Sequence, residues 1–229
     1  MQTLKFIGRG SAFNTKEGNT SAYIKDNDEL FLIDCGENIF GRILEKNILD
    51  GVKKVFVVIT HLNSDHVGSL SSLIYYCYYV KKIKIQVGFP NFELYDYLTL
   101  NGHDEEYDYI CFDKGISNQT TKNIIIAAKR TSHINTMNCY GYDINYFTDT
   151  YYYSGDSNEF VPNHTTTVYQ EIYQDTSLAD YKGNVHLSLR RLCEEVPKEQ
   201  RHLVYVMHLD CDELIEKARE EDFNVVEME

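Results

Sequence analysis

Thr60-His61-Leu62-Asn63-Ser64-Asp65-His66-Val67-Gly68 is the stretch on which the reading of this chain turns. The residues before it, Val55 to Ile59, are all apolar and mostly β-branched, the pattern of a buried strand. The apolar run stops at Thr60, and a short turn then leads towards a helix. A turn at the end of a strand can aim several side chains at one point beyond the sheet. His61 and His66 bring neutral imidazoles and Asp65 a hard carboxylate, a donor set suited to a divalent metal. Asp65 also stands near the helix start, where the helix dipole favours a negative charge. A capped helix with two surface imidazoles would use the same letters, so the spacing needs support from the rest of the chain.

That support lies at the ends of other strand-like runs. Asp34 follows Leu30 to Ile33, and His133 follows Asn123 to Ala127. Asp156, in Tyr153-Ser-Gly-Asp156, closes the second strand of a hairpin whose turn is expected at Thr148-Asp149-Thr150. His208 ends Leu203 to Met207. Converging strand ends are where a sheet protein commonly builds a site on a rigid frame. Leu4 to Ile7, Ile83 to Val87 and Gly141 to Phe147 read as further strands. Helices are expected over Ser69 to Val80, Asn91 to Leu100, Leu187 to Val196 and Asp212 to Glu221, the third stopped by Pro197. This strand-rich α/β pattern argues for two packed sheets flanked by helices, in one domain of residues 1–229, rather than a strict βαβ repeat.

The composition bounds the function. The chain has 229 residues, 43% hydrophobic and 25% charged, which suits a folded domain and excludes a disordered, collagen-like or coiled-coil chain. With 22 Lys and Arg against 35 Asp and Glu, the net charge is −13, which disfavours broad contact with nucleic-acid phosphates or anionic lipid. A small anion stays acceptable, because one or two bound cations reverse the field locally. No apolar run approaches the roughly 20 residues of a membrane span, and the N-terminus lacks a signal-peptide core. Six widely spaced cysteines without a CxxC pair read as buried free thiols, so a reducing, cytoplasmic location is expected.

Taken in order, these residues resemble the signature of the metallo-β-lactamase-fold hydrolases. That signature is an HxHxDH segment after a strand, then a distant His, an Asp after a strand, and a last His. Here it reads His61-x-Asn63-x-Asp65-His66, His133, Asp156 and His208. The resemblance spans nearly the whole chain, from Gly8-Arg-Gly-Ser-Ala-Phe13 and Asn19-Thr-Ser-Ala-Tyr23 onwards. It is nearest the ribonuclease Z-like phosphodiesterase branch, which Cys139-Tyr-Gly-Tyr142 and Ser154-Gly-Asp156-Ser157 support. The implied fold is an α/β four-layer αββα sandwich, with mixed sheets and helices on the outer faces.

The resemblance also implies a metal centre of one or two divalent ions, zinc being the family's usual metal. His61, the residue at position 63 and His133 would hold one ion, Asp65, His66 and His208 the other, and Asp156 would bridge them. Two cations about 3.5–4 Å apart can activate a water and neutralise charge on both sides of a phosphodiester displacement. Asp65 would also orient that water. Asn63 is the departure, since the family has His there. A neutral amide oxygen is a harder and usually weaker ligand, so zinc should be held more loosely and manganese favoured. In the same branch a His in a segment like Asn184-Val-His186-Leu-Ser188 acts as general acid, supported by an acid that Glu171, in Tyr169-Gln-Glu171-Ile172, resembles. The plainer reading makes His186 a helix-terminal residue and Glu171 a solvated charge. His103, His164 and His202 read as structural or surface residues.

The expected function is thus hydrolysis of a phosphodiester in a small nucleotide, for instance a cyclic one, by a homodimer without membrane partners. Two alternatives stay open. One is trimming of the 3′ end of a tRNA precursor. That activity usually employs a basic or Gly-rich arm, and no such insertion stands between His66 and His133 or between Asp156 and His208. The other is a non-hydrolytic nucleotide-binding protein on a degenerate fold, which Asn63 makes worth carrying.

Overall fold

Strand pairing in this computed structural model, which describes residues 2–112 and 118–229, sorts the apolar runs into two sheets. The first holds β1 (Lys5–Gly8), β2 (Ser21–Asp26), β3 (Glu29–Ile33), β4 (Lys54–Val58), β5 (Ile85–Phe89) and β6 (Tyr107–Cys111), in sequence order. β1 to β3 form an antiparallel meander, whereas β3 to β6 run parallel. The second holds β7 (Asn118–Gln119), β8 (Ile124–Arg130), β9 (Tyr140–Tyr146), β10 (Asp149–Tyr153), β11 (Glu171–Asp175), β12 (Val204–Met207) and β13 (Asn224–Val225), again in order. It too changes from antiparallel (β7 to β10) to parallel (β10 to β13).

The parallel strands explain their own composition. In β4 only Lys54 is exposed and Val55 to Val58 are buried in succession, as expected of a strand covered on both faces. One apolar core takes Leu30, Leu32 and Val57 from the first sheet and Tyr142, Tyr153 and Tyr173 from the second. Helices α1 (Ile39–Glu45), α3 (Leu70–Tyr75) and α4 (Glu93–Leu100) add Ile39, Ile43, Leu73 and Leu98 to it; the single turn α2 (Ser64–Val67) lies between α1 and α3 in sequence. A second cluster seats α5 (Leu189–Glu195) and α6 (Glu213–Glu220) on β11 and β12 through Leu192, Leu214, Ile172 and Val206. The layers are therefore helix, sheet, sheet, helix. α6 shows how the sequence specifies this: Leu214 and Ala218 share the buried face, and Glu213 pairs with Lys217 at 3.0 Å on the exposed one. Among the described residues, no helix is long and apolar enough to cross a membrane.

Several local expectations shift. The helix expected over Ser69 to Val80 is α-helical only to Tyr75, continues as a π-helical segment over Tyr76–Lys81, and ends at Lys82 with φ +60°. The hairpin turn is Phe147-Thr148 rather than Thr148-Asp149-Thr150, because Tyr146 pairs with Asp149 and leaves two residues between. Phe147 takes the positive φ that such a tight loop needs, at +55°. β2, β6, β11 and α1 lack the continuous apolar runs that mark the other elements: Asp108 interrupts β6, Gln174 interrupts β11 and Gly41 sits within α1. Of the cysteines, only Cys35, Cys77 and Cys139 are buried; Cys193 and Cys211 are half-buried and Cys111 is exposed.

Register places the site. Parallel pairing sets Ile33 beside Val58, so Asp34 and Thr60-His61 leave the first sheet at one edge. Likewise Tyr153 pairs with Tyr173 and Asp175 with Met207, so Asp156, Asp175 and His208 leave the second sheet together. The carboxyl ends of parallel strands are where open α/β sheets bind ligands.

Candidate metal centre

Each strand end carries its side chain inward. Asp156 sits at the middle, 3% exposed, with its two carboxylate oxygens facing different histidines. Oδ2 lies 3.7 Å from both His61 Nε2 and His133 Nε2, and Oδ1 lies 3.2 Å from His66 Nε2 and 3.4 Å from His208 Nε2. Asp65 Oδ2 joins the second group, 3.3 Å from His66 Nε2 and 3.5 Å from His208 Nε2. Ligand atoms of His61, His133 and Asp156 thus cluster within 4.8 Å of one another, as do those of Asp65, His66, Asp156 and His208.

The other nitrogen of each ring is tied down. His66 Nδ1 meets Asp34 Oδ2 at 2.8 Å, His208 Nδ1 lies 3.3 Å from Asp175 Oδ1, and His133 Nδ1 donates to the Val185 carbonyl at 3.0 Å. Thr60 Oγ1 lies 3.1 Å from His61 Nδ1. Fixing Nδ1 in this way selects the tautomer that offers Nε2 to a metal. Asp34 is itself buried and accepts from the Thr60 amide at 2.7 Å and its hydroxyl at 2.8 Å, in a left-handed backbone with φ +62°. Of the strand-end acids it therefore stands behind His66 as an orienting group rather than among the metal-type donors.

Whether these residues fit a metal can be judged from their unsatisfied atoms. Nε2 of His61, His66 and His208 is buried without a hydrogen-bond partner, a costly arrangement unless a cation is coordinated there. Burial and the neighbouring His66 push the His61 pKa well below its usual value, which leaves a free lone pair. Burial opposes charge on His66 too, yet Asp156, Asp34 and Asp65 raise its pKa well above the usual value. For His208 the same contest, with Asp156 and Asp175 as the main opponents of burial, lifts it to about 10. Asp65 shows the converse: burial would raise its pKa, but His66 and His208 hold it far below the carboxylate range. This pocket stabilises positive charge, and the donors suit a divalent cation.

Asn63 is half-buried and lines the same 410 Å³ cavity as Asp65, His133, Asp156, His186 and His208. It occupies the N-cap position of α2, but its side chain makes no capping hydrogen bond. Its backbone carbonyl instead accepts from His66 and Val67, at 2.9 and 3.0 Å.

His186 and Glu171 part company. Glu171 opens β11, where it accepts from the Thr3 amide at 2.9 Å and from the Tyr173 hydroxyl. Asp175 ends the same strand, about 13 Å further on at the usual rise per residue. It is Asp175, fully buried, that meets His186 Nδ1, at 2.7 Å, while accepting from the Ser157 amide at 2.9 Å. The pairing expected of Glu171 is thus made by Asp175. The sequence did carry a signal, since Asp175 ends a strand as Asp34 and Asp156 do. Burial opposes charge on His186, but Asp175 raises its pKa above the usual value. The remaining histidines lie apart: His103 is buried against Tyr75 at 4.1 Å between rings, and His164 and His202 are exposed.

Five strand ends and two loops, converging on paired histidine and carboxylate groups between two mixed sheets, define a metallo-β-lactamase-fold protein. Solved structures agree over almost the full chain. The metallo-β-lactamase fold protein YhfI from Bacillus subtilis superposes with a TM-score of 0.77 at 16% identity, covering 99% of this chain and 95% of that one. The short form of human tRNase Z gives 0.71 at 16% identity, covering 99% and 96%. The match to one family model is closer: residues 2–228 fit that of the anti-Pycsar protein Apyc1, and the chain belongs to this family. A relative described as anti-Pycsar protein Apyc1, from Bacillus phage BSP38, is 28% identical over 232 residues, covering 90% of this chain and 88% of its own.

Proposed function

We propose that this chain is a metal-dependent phosphodiesterase whose substrate is a small cyclic nucleotide. The observation that carries the reading is Asp156, whose two oxygens face two separate groups of metal-type donors. His61, His133 and Asp156, with Asn63 beside them, would hold one ion, and Asp65, His66, Asp156 and His208 the other. Zinc is the first expectation and manganese the second. Such ions supply Lewis acidity towards the phosphoryl oxygens and lower the pKa of a bound water. The residues of the chain do the rest. Asp65, held as a carboxylate, accepts a hydrogen bond from the attacking water and orients it. His186, whose Nδ1 is engaged by Asp175, keeps Nε2 for the leaving ribose oxygen and can deliver a proton to it. Membership of an anti-Pycsar family favours a cyclic nucleotide over a tRNA, and so does a net charge of −13, which repels a long polyanion.

The test offers purified protein, loaded with zinc or manganese, three substrates: bis(p-nitrophenyl) phosphate, pyrimidine and purine cyclic mononucleotides, and a tRNA precursor. Turnover of a cyclic mononucleotide to its linear monophosphate is expected. No turnover of any substrate by protein with measured bound metal would leave only the non-hydrolytic reading, and cleavage confined to the tRNA would reject the cyclic substrate.

A further inference from the structure

The cavity that holds Asp65, His133, Asp156 and His208 is lined as well by Phe13 and Tyr181. Phe13 is 96% exposed and Tyr181 63%, although both stand on well-anchored loops. On the first loop, the Ser11 amide and the Asn14 side-chain amide both donate to the Leu209 carbonyl, each at 3.0 Å, while Leu209 donates to Arg9 at 2.8 Å. On the second, Asp210 accepts from the amides of Leu178 and Ala179, at 3.0 and 3.2 Å, and Asn184 closes the loop by donating to the Ala179 carbonyl at 2.8 Å. Leu209 and Asp210 directly follow the ligand-type residue His208. Both aromatic-bearing loops are therefore pinned to the residues that directly follow His208, the first to the Leu209 backbone and the second to the Asp210 carboxylate.

From this placement we infer that Phe13, with Tyr181, is the nucleobase-recognition element of the site. The inference rests on the phosphodiesterase reading above and adds how the substrate is chosen. A cyclic nucleotide has one negative end and one flat, uncharged aromatic end, and this one cavity is lined both by the carboxylate and imidazole groups and by two exposed rings. At 410 Å³ it falls within the range of small-ligand sites, roughly 300–1,000 Å³. Stacking on an aromatic face accepts every base, so the pair supplies affinity for nucleotides as a class rather than for one base. With the loop backbone fixed, only the ring's own two side-chain torsions need ordering when the base arrives, which keeps the cost of stacking small.

Phe13→Ala should fold normally, since the ring contributes almost nothing to the core. Steady-state kinetics on a cyclic mononucleotide should show KM raised by about 5- to 100-fold with kcat nearly unchanged, the size of effect that one lost stacking partner has. Phe13→Trp should keep KM near that of the parent. The same variants should cleave 1-O-methylribose 3′,5′-cyclic phosphate, which lacks a base, as well as the parent does. Tyr181→Ala should raise KM on the nucleotide in the same direction. Equal losses on both substrates, no loss on either, or a change of sedimentation coefficient accompanying equal losses would overturn the inference. If the parent protein cleaved neither substrate, the phosphodiesterase reading would fall and this one with it; base-independent losses in an active parent would overturn this one alone.

Discussion

Asn63 is the residue that sets the proposed centre apart from the family's motif, which has His at that position. It lines the same cavity as His133, and its side chain makes no capping hydrogen bond. An amide oxygen in that position gives a weaker, harder donor than imidazole, so Asn63→His should tighten the more weakly held zinc by on the order of tenfold or more. Isothermal titration of the metal-free protein measures this, and an unchanged affinity would remove Asn63 from the ligand set. Asp175 makes a second prediction at this scale. Asp175→Asn keeps the shape but loses the charge that holds His186 and His208, and should lower kcat or metal affinity about 10- to 100-fold. Glu171→Gln, in contrast, should leave kcat unaltered and cost about 1 kcal/mol or less through its bond to Thr3, since it faces away from the cavity. Comparable losses of activity in both variants would contradict this assignment.

Among the elements, β9 and the end of β4 clamp the two sheets together next to the metal-type donors. The hydroxyl of Tyr142 donates to the Ile59 carbonyl at 2.7 Å, and the Tyr140 amide to the Thr60 carbonyl at 3.0 Å. Both bonds fall immediately before His61. Tyr142 is fully buried and retains its proton, because burial drives its pKa far upward. Tyr142→Phe leaves the ring packing intact and deletes the clamp, at a cost of about 1–2 kcal/mol. For a domain of this size that lowers Tm by about 2–8 °C in calorimetry. A Tm equal to the parent's would mean that the bond adds nothing over solvent. The elements themselves were largely legible beforehand, because long β-branched runs such as Val55 to Ile59 leave few alternatives. β6 and β11 were not, because their polar residues are satisfied by neighbours that only the fold supplies. Asp108 of β6, for example, pairs with Lys84 at 2.9 Å, and Asp175 of β11 accepts from the Ser157 amide at 2.9 Å.

For the whole molecule, the metal centre should double as a fastener. It gathers residues from both sheets around carboxylates that repel one another when no cation is present. Ion binding at about a hundredfold excess over Kd stabilises the native state by about 2.7 kcal/mol per site. Treatment with a chelator should therefore lower Tm by about 5–11 °C, reversed by added zinc or manganese, as scanning calorimetry would show. An unchanged Tm despite measured metal loss would show that the sandwich holds its ligands without help. The negative net charge belongs to this scale as well: it shapes which anions approach, and one or two cations in the site would invert the field locally.

The sequence by itself determined the strand-end donors, their order along the chain and hence the class of fold, because apolar runs and the residues that close them are local properties. The resemblance to an ordered family motif also placed His61, Asp65, His66, His133, Asp156 and His208 in advance as one set, and the geometry brings the other five together around Asp156. Only the tertiary structure decided the partners that orient them. Asp34 turns out to back His66 and Asp175 to back His186, while Glu171 serves the N-terminal strand. The reason is register: in parallel strands the residue that faces a site depends on which neighbours align, and four positions along β11 separate an acid in the centre from one outside it.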